Sequence, residues 1–340
     1  MKENRTGKYS TRSDSANILV LGDLCVDVIM EIVDFPQAGG DGTVRALNQH
    51  AGGSAANTAI MLAKLGETVS LFTPTGGDEW GRKAVGILKA CGVNLAEGLN
   101  RADLAGGMTF VLVDKNAERT LFTFRGANAM LNPDQIDNQC LAGIDFLHIS
   151  AYSCMEEDNF QAVSKAVSLA KKASVPVSLD ISVEAVQRAK TNLLAILPQI
   201  GVLVLSGREA LALAGMASID SAVTFFLDKG VSLLAIKKGA GGCRLVSHKA
   251  DLELPGFTIP AVDSTGAGDA FCAGLIYGLV RDWLLEDCGL LANALGALAV
   301  SRVGAGENLP SVGQVITMLE SQPRSGVIAR LIDNLSEKKP

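Results

Sequence analysis

The sequence predicts an α/β protein with a mostly parallel central sheet covered by helices on both faces. Three observations carry that expectation. Residues 18–22 (ILVLG) are a short apolar run closed by glycine, as in a buried first strand. Strand-like runs then alternate with helical patterns of roughly 10–15 residues. No internal repeat and no linker divides the 340 residues, so residues 17–336 are expected to form one domain.

The elements follow in order. Residues 27–50 are choppier, with Pro36 and Gly39-Gly40, and suggest short exposed strands and turns. Gly52-Gly53 opens a helix over residues 54–65, with apolar positions 55, 59, 62 and 63 and Gly66 as its stop. A strand at 69–72 and a helix at about 80–90 come next. The runs 108–113 and 119–124, joined by the polar residues 114–118, read as a hairpin. Strands are then expected at 146–149, 175–179, 202–205, 233–236 and 243–246. Helices are expected between them at 159–173, 184–197, 209–214 and 221–229. Two longer helices, about 268–282 and 284–302, close the core, and an amphipathic helix begins after Pro310. The interrupted β segments, about 28–50 and 107–125, look like a small sheet inserted into the body.

Composition narrows the function classes. Apolar residues make up 48% and charged residues only 19%, which argues against a disordered chain. A formal net charge of −6 gives no electrostatic reason to expect nucleic acid or an anionic membrane as partner. The longest apolar run, about 289–301, is interrupted by Asn293 and is short of the roughly 20 residues that span a bilayer. Residues 1–16 are polar and lack an apolar stretch, so they are expected to be a disordered tail and not a signal peptide. Seven cysteines without a CxxC pair, and three histidines without ligand spacing, suggest a reducing, cytoplasmic setting and no zinc site. The 36 glycines, five Gly-Gly pairs among them, imply that bare backbone is needed repeatedly, at turns or against a ligand.

The sharpest chemical signal is Asp263-Ser264-Thr265-Gly266-Ala267-Gly268-Asp269, feeding a helix with apolar positions 271, 275 and 279. The first N–H groups of such a helix are unsatisfied, and small residues leave them open to an anion. Asp269 beside an anion hole suits a general base that takes a proton from an attacking hydroxyl. Taken alone, the stretch reads at least as well as a capped helix with a tight turn. Gly52-Gly53-Ser54-Ala55-Ala56-Asn57 brings backbone close to a ligand and offers the Asn57 amide one turn into a helix, or is simply a helix start. Asp23 and Asp27 follow the first strand, where open α/β sheets bind ligands; carboxylates there suit vicinal hydroxyls, or caps and ion pairs.

Together these stretches resemble the ribokinase-like (PfkB) family of carbohydrate kinases. DSTGAGDAFCAG is similar to the family's C-terminal signature and GGSAANTA to its N-terminal one, about 210 residues apart. The resemblance runs from about residue 18 to 322. It takes in residues 126–131 (GANAML) and the stretch from Asn293 to Gly304-Ala305. It implies a three-layer α/β/α sandwich with a small β-sheet lid, and an ATP-dependent phosphotransferase acting on a hydroxymethyl group of a pentose, hexose or sugar acid. Asp269 would be the base, with Gly266, Ala267 and Gly268 the anion hole. Asp27, Gly53 and Asn57, with Asp23 as a weaker candidate, would hold the sugar. Lys237, Gly239 and Gly242 would lie along the nucleotide, with Asn293 beside the adenine. Glu209 would organise Mg²⁺ through water, and Asp263, Thr265, Ala299, Arg302, Gly304 and Asn308 would surround an optional monovalent cation such as K⁺. A homodimer through the lid is implied as well.

The sequence departs from the family pattern in places. Ser206-Gly207-Arg208-Glu209 stands where Asn-x-x-Glu is common. Ala151 and Tyr152 occupy a region where ribokinase has an acidic sugar contact, and Cys25 replaces an asparagine. These departures weaken ribose itself as substrate. Arg119 and Arg125, on or near the lid, are expected to face solvent rather than an anionic sugar. The alternatives are a nucleoside kinase, disfavoured by only 5% aromatic residues, and a silent sugar-binding regulator, disfavoured by the intact GAGD stretch. Without GxGxxG after the first strand, or GxxxxGK[ST], a dinucleotide oxidoreductase and a Walker-type ATPase are set aside.

Overall fold

The computed structural model describes residues 15–96, 99–115, 119–323 and 325–336. Most of the expected N-terminal tail (residues 1–14) and the tip of the predicted hairpin (116–118) lie outside the described residues. The main sheet has nine strands. From one edge to the other they are Ala250–Leu254, Cys243–Ser247, Leu233–Lys237, Val202–Ser206, Val177–Asp180, Phe146–Ser150, Asn17–Leu21, Thr68–Phe72 and Asn94–Leu95. All pairings are parallel except those of the first two strands in that order, which are antiparallel.

The interior strands are buried on both faces, which is why they read as unbroken apolar runs rather than alternating ones. Ile18, Val20, Val202 and Val204 pack into one core with the helices Ser54–Lys64, Ala267–Val280 and Leu285–Ala299. Leu19, Leu21, Leu147, Ile149 and Leu203 face a second core under Glu157–Lys172 and Val183–Ile196. Part of the glycine excess is spent between helices. A Cβ at Gly274 would stand 2.9 Å from the Ala292 Cα, and one at Gly278 would stand 2.6 Å from the Cys288 Sγ. In-register parallel pairing (Leu21 with Ile149, Asp180 with Val204, Ser206 with Lys237) aligns the carboxyl ends of the strands along one rim. Asp23, Asp180 and Lys237 stand on or just beyond that rim.

A second sheet of four strands runs Val44–Gly52, Cys25–Ile32, Gly107–Val113, Arg119–Phe124. Here the expectation over residues 27–50 needs correction. Pro36 and Gly39-Gly40 fall between two long strands, not within short ones, and Cys25–Ile32 is almost wholly buried. It lies between two neighbours, parallel to Gly107–Val113 and antiparallel to Val44–Gly52. The outer strand Arg119–Phe124 is exposed throughout. The strand Ala250–Leu254 and the closing helix Gly326–Ser336, which buries Leu331 and Leu335, were not anticipated.

Candidate active site

The helix Ala267–Val280 starts from Gly266 in the left-handed region (φ 74°) with no side-chain cap. Only glycine suits that position, because a Cβ there would also stand 2.6 Å from the Ala305 Cβ. Helix geometry leaves the N–H groups of Gly268 and Asp269 without an intrahelical acceptor. The Lys237 ammonium lies beside them, 3.3 Å from where a Gly268 Cβ would be. Lys237 is anchored by Asp180 at 2.7 Å. Burial opposes its charge, but the Asp180 carboxylate outweighs burial and keeps the ammonium protonated. The result is a small positive concavity of amides and one cation at a helix start.

Asp269 stands at the edge of this concavity. Ser54 Oγ donates to its Oδ1 at 2.9 Å and Asn57 Nδ2 donates to its Oδ2 at 2.8 Å. Asn57 Oδ1 in turn accepts the Gly306 N–H at 3.1 Å. Two motifs more than 200 residues apart therefore meet on one carboxylate. Burial, and then the Asp180 carboxylate, push the Asp269 pKa up to about 7 against the opposing hydrogen bonds from Asn57 and Ser54.

On the lid side, Asp23 caps the helix Ser54–Lys64, whose own N-cap, Gly53, has no side chain to offer. Its carboxylate accepts the Ser54 N–H at 3.1 Å and the Ala55 N–H at 3.4 Å. A Cβ at Gly53 (φ 98°) would fall 2.5 Å from the Asp23 carbonyl oxygen. Asp27 is 7% exposed, and burial raises its pKa to about 6. The Cys25 thiol donates to it at 3.3 Å. Tyr152 stands within electrostatic reach of Asp23 and Asp269, and burial holds its hydroxyl protonated, with a pKa of about 12. Arg125 is paired with Glu156 at 2.8 Å and donates to the Tyr152 carbonyl at 3.1 Å. Arg119 binds Asp263 at 2.6 Å. Both arginines are ion-paired: Arg119 stays exposed on the outer lid strand, as expected, whereas Arg125 is largely buried against Glu156; their partners are 144 and 31 positions away in sequence.

Beside the helix start opens a cleft of about 350 Å³ lined by Lys237, Gly239, Gly242, Gly268 and Asn293 together with Phe257, Ile259, Phe271 and Val300. All four expected nucleotide residues thus border one cavity. The Asn293 amide donates to the Pro255 carbonyl at 2.9 Å, so it shapes the wall. Glu209 closes a capping box with Ser206: its Oε2 accepts the Ser206 N–H at 2.6 Å, and Ser206 Oγ accepts the Glu209 N–H at 3.3 Å. Serine thus supplies the helix cap at this position. Of the residues expected around a cation, Asp263, Thr265 and Gly304 are joined by hydrogen bonds beside the anion hole, and Arg302 meets Asn308. There the Gly304 N–H donates to Asp263 Oδ2 at 2.8 Å and Arg302 Nη1 to the Asn308 carbonyl at 3.3 Å.

Four contributors escaped sequence reasoning. Ser54 lay inside a motif already singled out. Asp180 carried the same strand-end signal as Asp23. Phe257 and Ile259 sit in an irregular stretch with no periodicity to expose them.

Comparison with known proteins bears on what such a site does. The sequence matches the family described as pfkB family carbohydrate kinase over residues 15–312. It is 28% identical over 327 residues to a probable fructokinase-4 of Arabidopsis thaliana, covering 92% of this chain and 99% of that protein. It is 30% identical over 306 residues to an ATP-dependent ribose-1-phosphate kinase of Halopiger xanaduensis, covering 90% and 98%. Among solved structures, a ribokinase of Thermotoga maritima superposes with a TM-score of 0.79 at 26% identity, covering 90% of this chain and all of that one. A fructokinase of Xylella fastidiosa with bound ATP superposes with a TM-score of 0.79 at 24% identity, covering 90% and 98%.

Proposed function

This chain belongs to the pfkB family of carbohydrate kinases, and from that membership we propose that it transfers the γ-phosphate of ATP to a hydroxymethyl group of a neutral sugar. The observation that carries this reading is the position of Asp269. It lies within electrostatic reach of Asp23 and Tyr152, and it follows Gly268, which borders the same cleft as Lys237, Gly239 and Gly242.

Asp269 Oδ takes the proton of the attacking hydroxyl, its carboxylate aimed by Ser54 and Asn57. The Gly268 and Asp269 N–H groups and the Lys237 ammonium stabilise charge on the transferring phosphoryl oxygens. Magnesium keeps most of its waters and needs few protein ligands. Glu209, with one oxygen outside its capping box, and Asp180 fit such an ion held through water; bound there, it would neutralise phosphate charge. The lid covers the sugar and keeps water from competing as acceptor.

A neutral sugar fits better than an anionic one. The Asp23 carboxylate acts electrostatically on Asp269 and on Asp27, so negative charge gathers there, and Arg125 is already neutralised by Glu156. Several relatives are fructokinases, which favours a ketohexose, whereas one is a ribose-1-phosphate kinase. A phosphorylation panel of fructose, other hexoses, pentoses, ribose 1-phosphate, a sugar acid and nucleosides, with ATP and Mg²⁺, tests this. The highest kcat/KM is expected on a neutral sugar; a preference of tenfold or more for ribose 1-phosphate, the sugar acid or a nucleoside would contradict it.

We place the enzyme in the cytoplasm as a homodimer joined through the lid. All seven cysteines are free, as suits a reducing compartment. No single helix among the described residues is long and apolar enough to cross a membrane. The outer lid strand leaves Leu121, Phe122 and Phe124 half or more exposed, with Leu47 at the opposite edge of the same sheet, an apolar surface that a second copy would cover.

A further inference from the structure

Arg119 opens the outer lid strand Arg119–Phe124, yet its guanidinium reaches the turn that leads into the anion hole. Nη1 binds Asp263 Oδ1 at 2.6 Å and also Thr265 Oγ1, and Nη2 donates to Ser264 Oγ at 2.5 Å. Three consecutive residues, 263–265, are thus gripped by one side chain from the lid. Gly266 follows immediately.

The same turn is where the family resemblance places a monovalent cation, and the residues present do not fit one. Within the set Asp263, Thr265, Ala299, Arg302, Gly304 and Asn308, the only negative side chain is Asp263. Its Oδ1 already accepts from the Thr265 N–H at 2.9 Å, the Thr265 hydroxyl at 2.8 Å and Arg119, and its Oδ2 accepts the Gly304 N–H at 2.8 Å. Asp263 is 11% exposed at its side chain and Arg119 28%, so the pair is only partly screened by water. A metal cation added there would find its one carboxylate neutralised and a guanidinium as its neighbour. Arg302, a second cation, belongs to the same set.

We propose that Arg119, delivered by the lid, takes the place of the monovalent cation, neutralising Asp263 and fixing the 263–265 turn so that the anion hole is formed when the lid is closed. Arg119 acts as a positioning residue: it touches neither sugar nor nucleotide, and works through the turn. Arginine suits the task better than lysine because its planar fork holds the carboxylate and a hydroxyl at once. The proposal rests on the sugar-kinase reading for its catalytic consequence, but its ion-binding consequence stands apart from it.

Both consequences are measured at constant ionic strength in potassium, sodium or tetramethylammonium chloride. Wild-type kcat on the best sugar is expected to vary by less than about twofold among the three salts, and the thermal midpoint to be the same in potassium and tetramethylammonium. Arg119→Gln is expected to lose roughly tenfold or more in kcat in tetramethylammonium. Potassium should then restore several-fold of that loss and raise the midpoint of the variant alone. Arg119→Lys, which keeps the charge, should remain indifferent to potassium. Wild-type activation by potassium of fivefold or more, or a wild-type midpoint raised by potassium, would overturn the proposal. So would an Arg119→Gln protein whose midpoint ignores potassium. If no sugar in the panel turned over, the kinase reading would fail while the midpoints still decided the ion question.

Discussion

The Asp269 carboxylate accepts two side-chain hydrogen bonds and still titrates near 7, because burial and the neighbouring Asp180 outweigh them. Its ordinary value is near 3.9, so the pKa is raised on folding. A carboxylate raised in this way gives its full stability below the unfolded value. That stability is lost as pH rises through the folded value near 7 and stays constant above. Asp269→Asn removes the titration. At pH 8 the variant should therefore melt a few degrees above wild type, and the gap should narrow toward pH 5, where the wild-type carboxyl is protonated when folded. Differential scanning calorimetry at the two values checks this; a variant less stable at pH 8 would contradict it. The same pKa predicts that wild-type kcat/KM climbs with pH and levels off above about 7. The identities of Asp269 and Asn57 were legible from their motifs, but the orientation of Asn57 was not. An amide one turn into a helix can face a ligand or a carboxylate equally well, and only the contact with Asp269 decides. The ion pairs of Arg119 and Arg125 were not legible because their partners lie far away in sequence.

At the scale of elements, the main sheet was legible because a strand buried on both faces has no choice but to be apolar along its length. The lid was harder. Val44–Gly52 is mostly exposed, so its polar residues resemble a loop, and Pro36 with Gly39-Gly40 advertised turns that in fact lie between two long strands. Ala250–Leu254 alternates charged and apolar residues as an edge strand does, and was too short to stand out. The exposed edge strand of the lid is an unpaired, apolar surface of the kind that proteins usually cover. A Leu121→Asp, Phe122→Ser double variant should shift the protein from dimer to monomer in sedimentation analysis while leaving the main sheet folded. A wild-type protein that sediments as a monomer at high micromolar concentration would remove the lid dimer.

For the molecule as a whole, the glycine excess has three physical causes. Some glycines supply positive φ, as Gly53 and Gly266 do at the two helix starts that frame Asp269. Some admit close helix packing, as Gly274 and Gly278 do against Leu285–Ala299. The pair Gly76-Gly77 permits backbone to cross backbone: a Cβ at Gly76 would stand 2.2 Å from the Gly106 N, just before the inner lid strand. Motif glycines were readable in advance, since their spacing announces them. Packing glycines were not, since the backbone they admit belongs to a distant segment. The net charge of −6 is compatible with a nucleotide site because the positive potential is local, made by helix-start amides and Lys237 rather than by bulk charge. Asp269 is the base on which the proposed transfer depends, next to the cleft that Gly268 borders. The direct test is single-turnover and steady-state kinetics of Asp269→Asn alongside ATP and sugar binding by calorimetry. A kcat lower by roughly 10²–10⁴-fold is expected, with both dissociation constants within about threefold of wild type; a kcat within a factor of five of wild type would contradict the role of Asp269 as base.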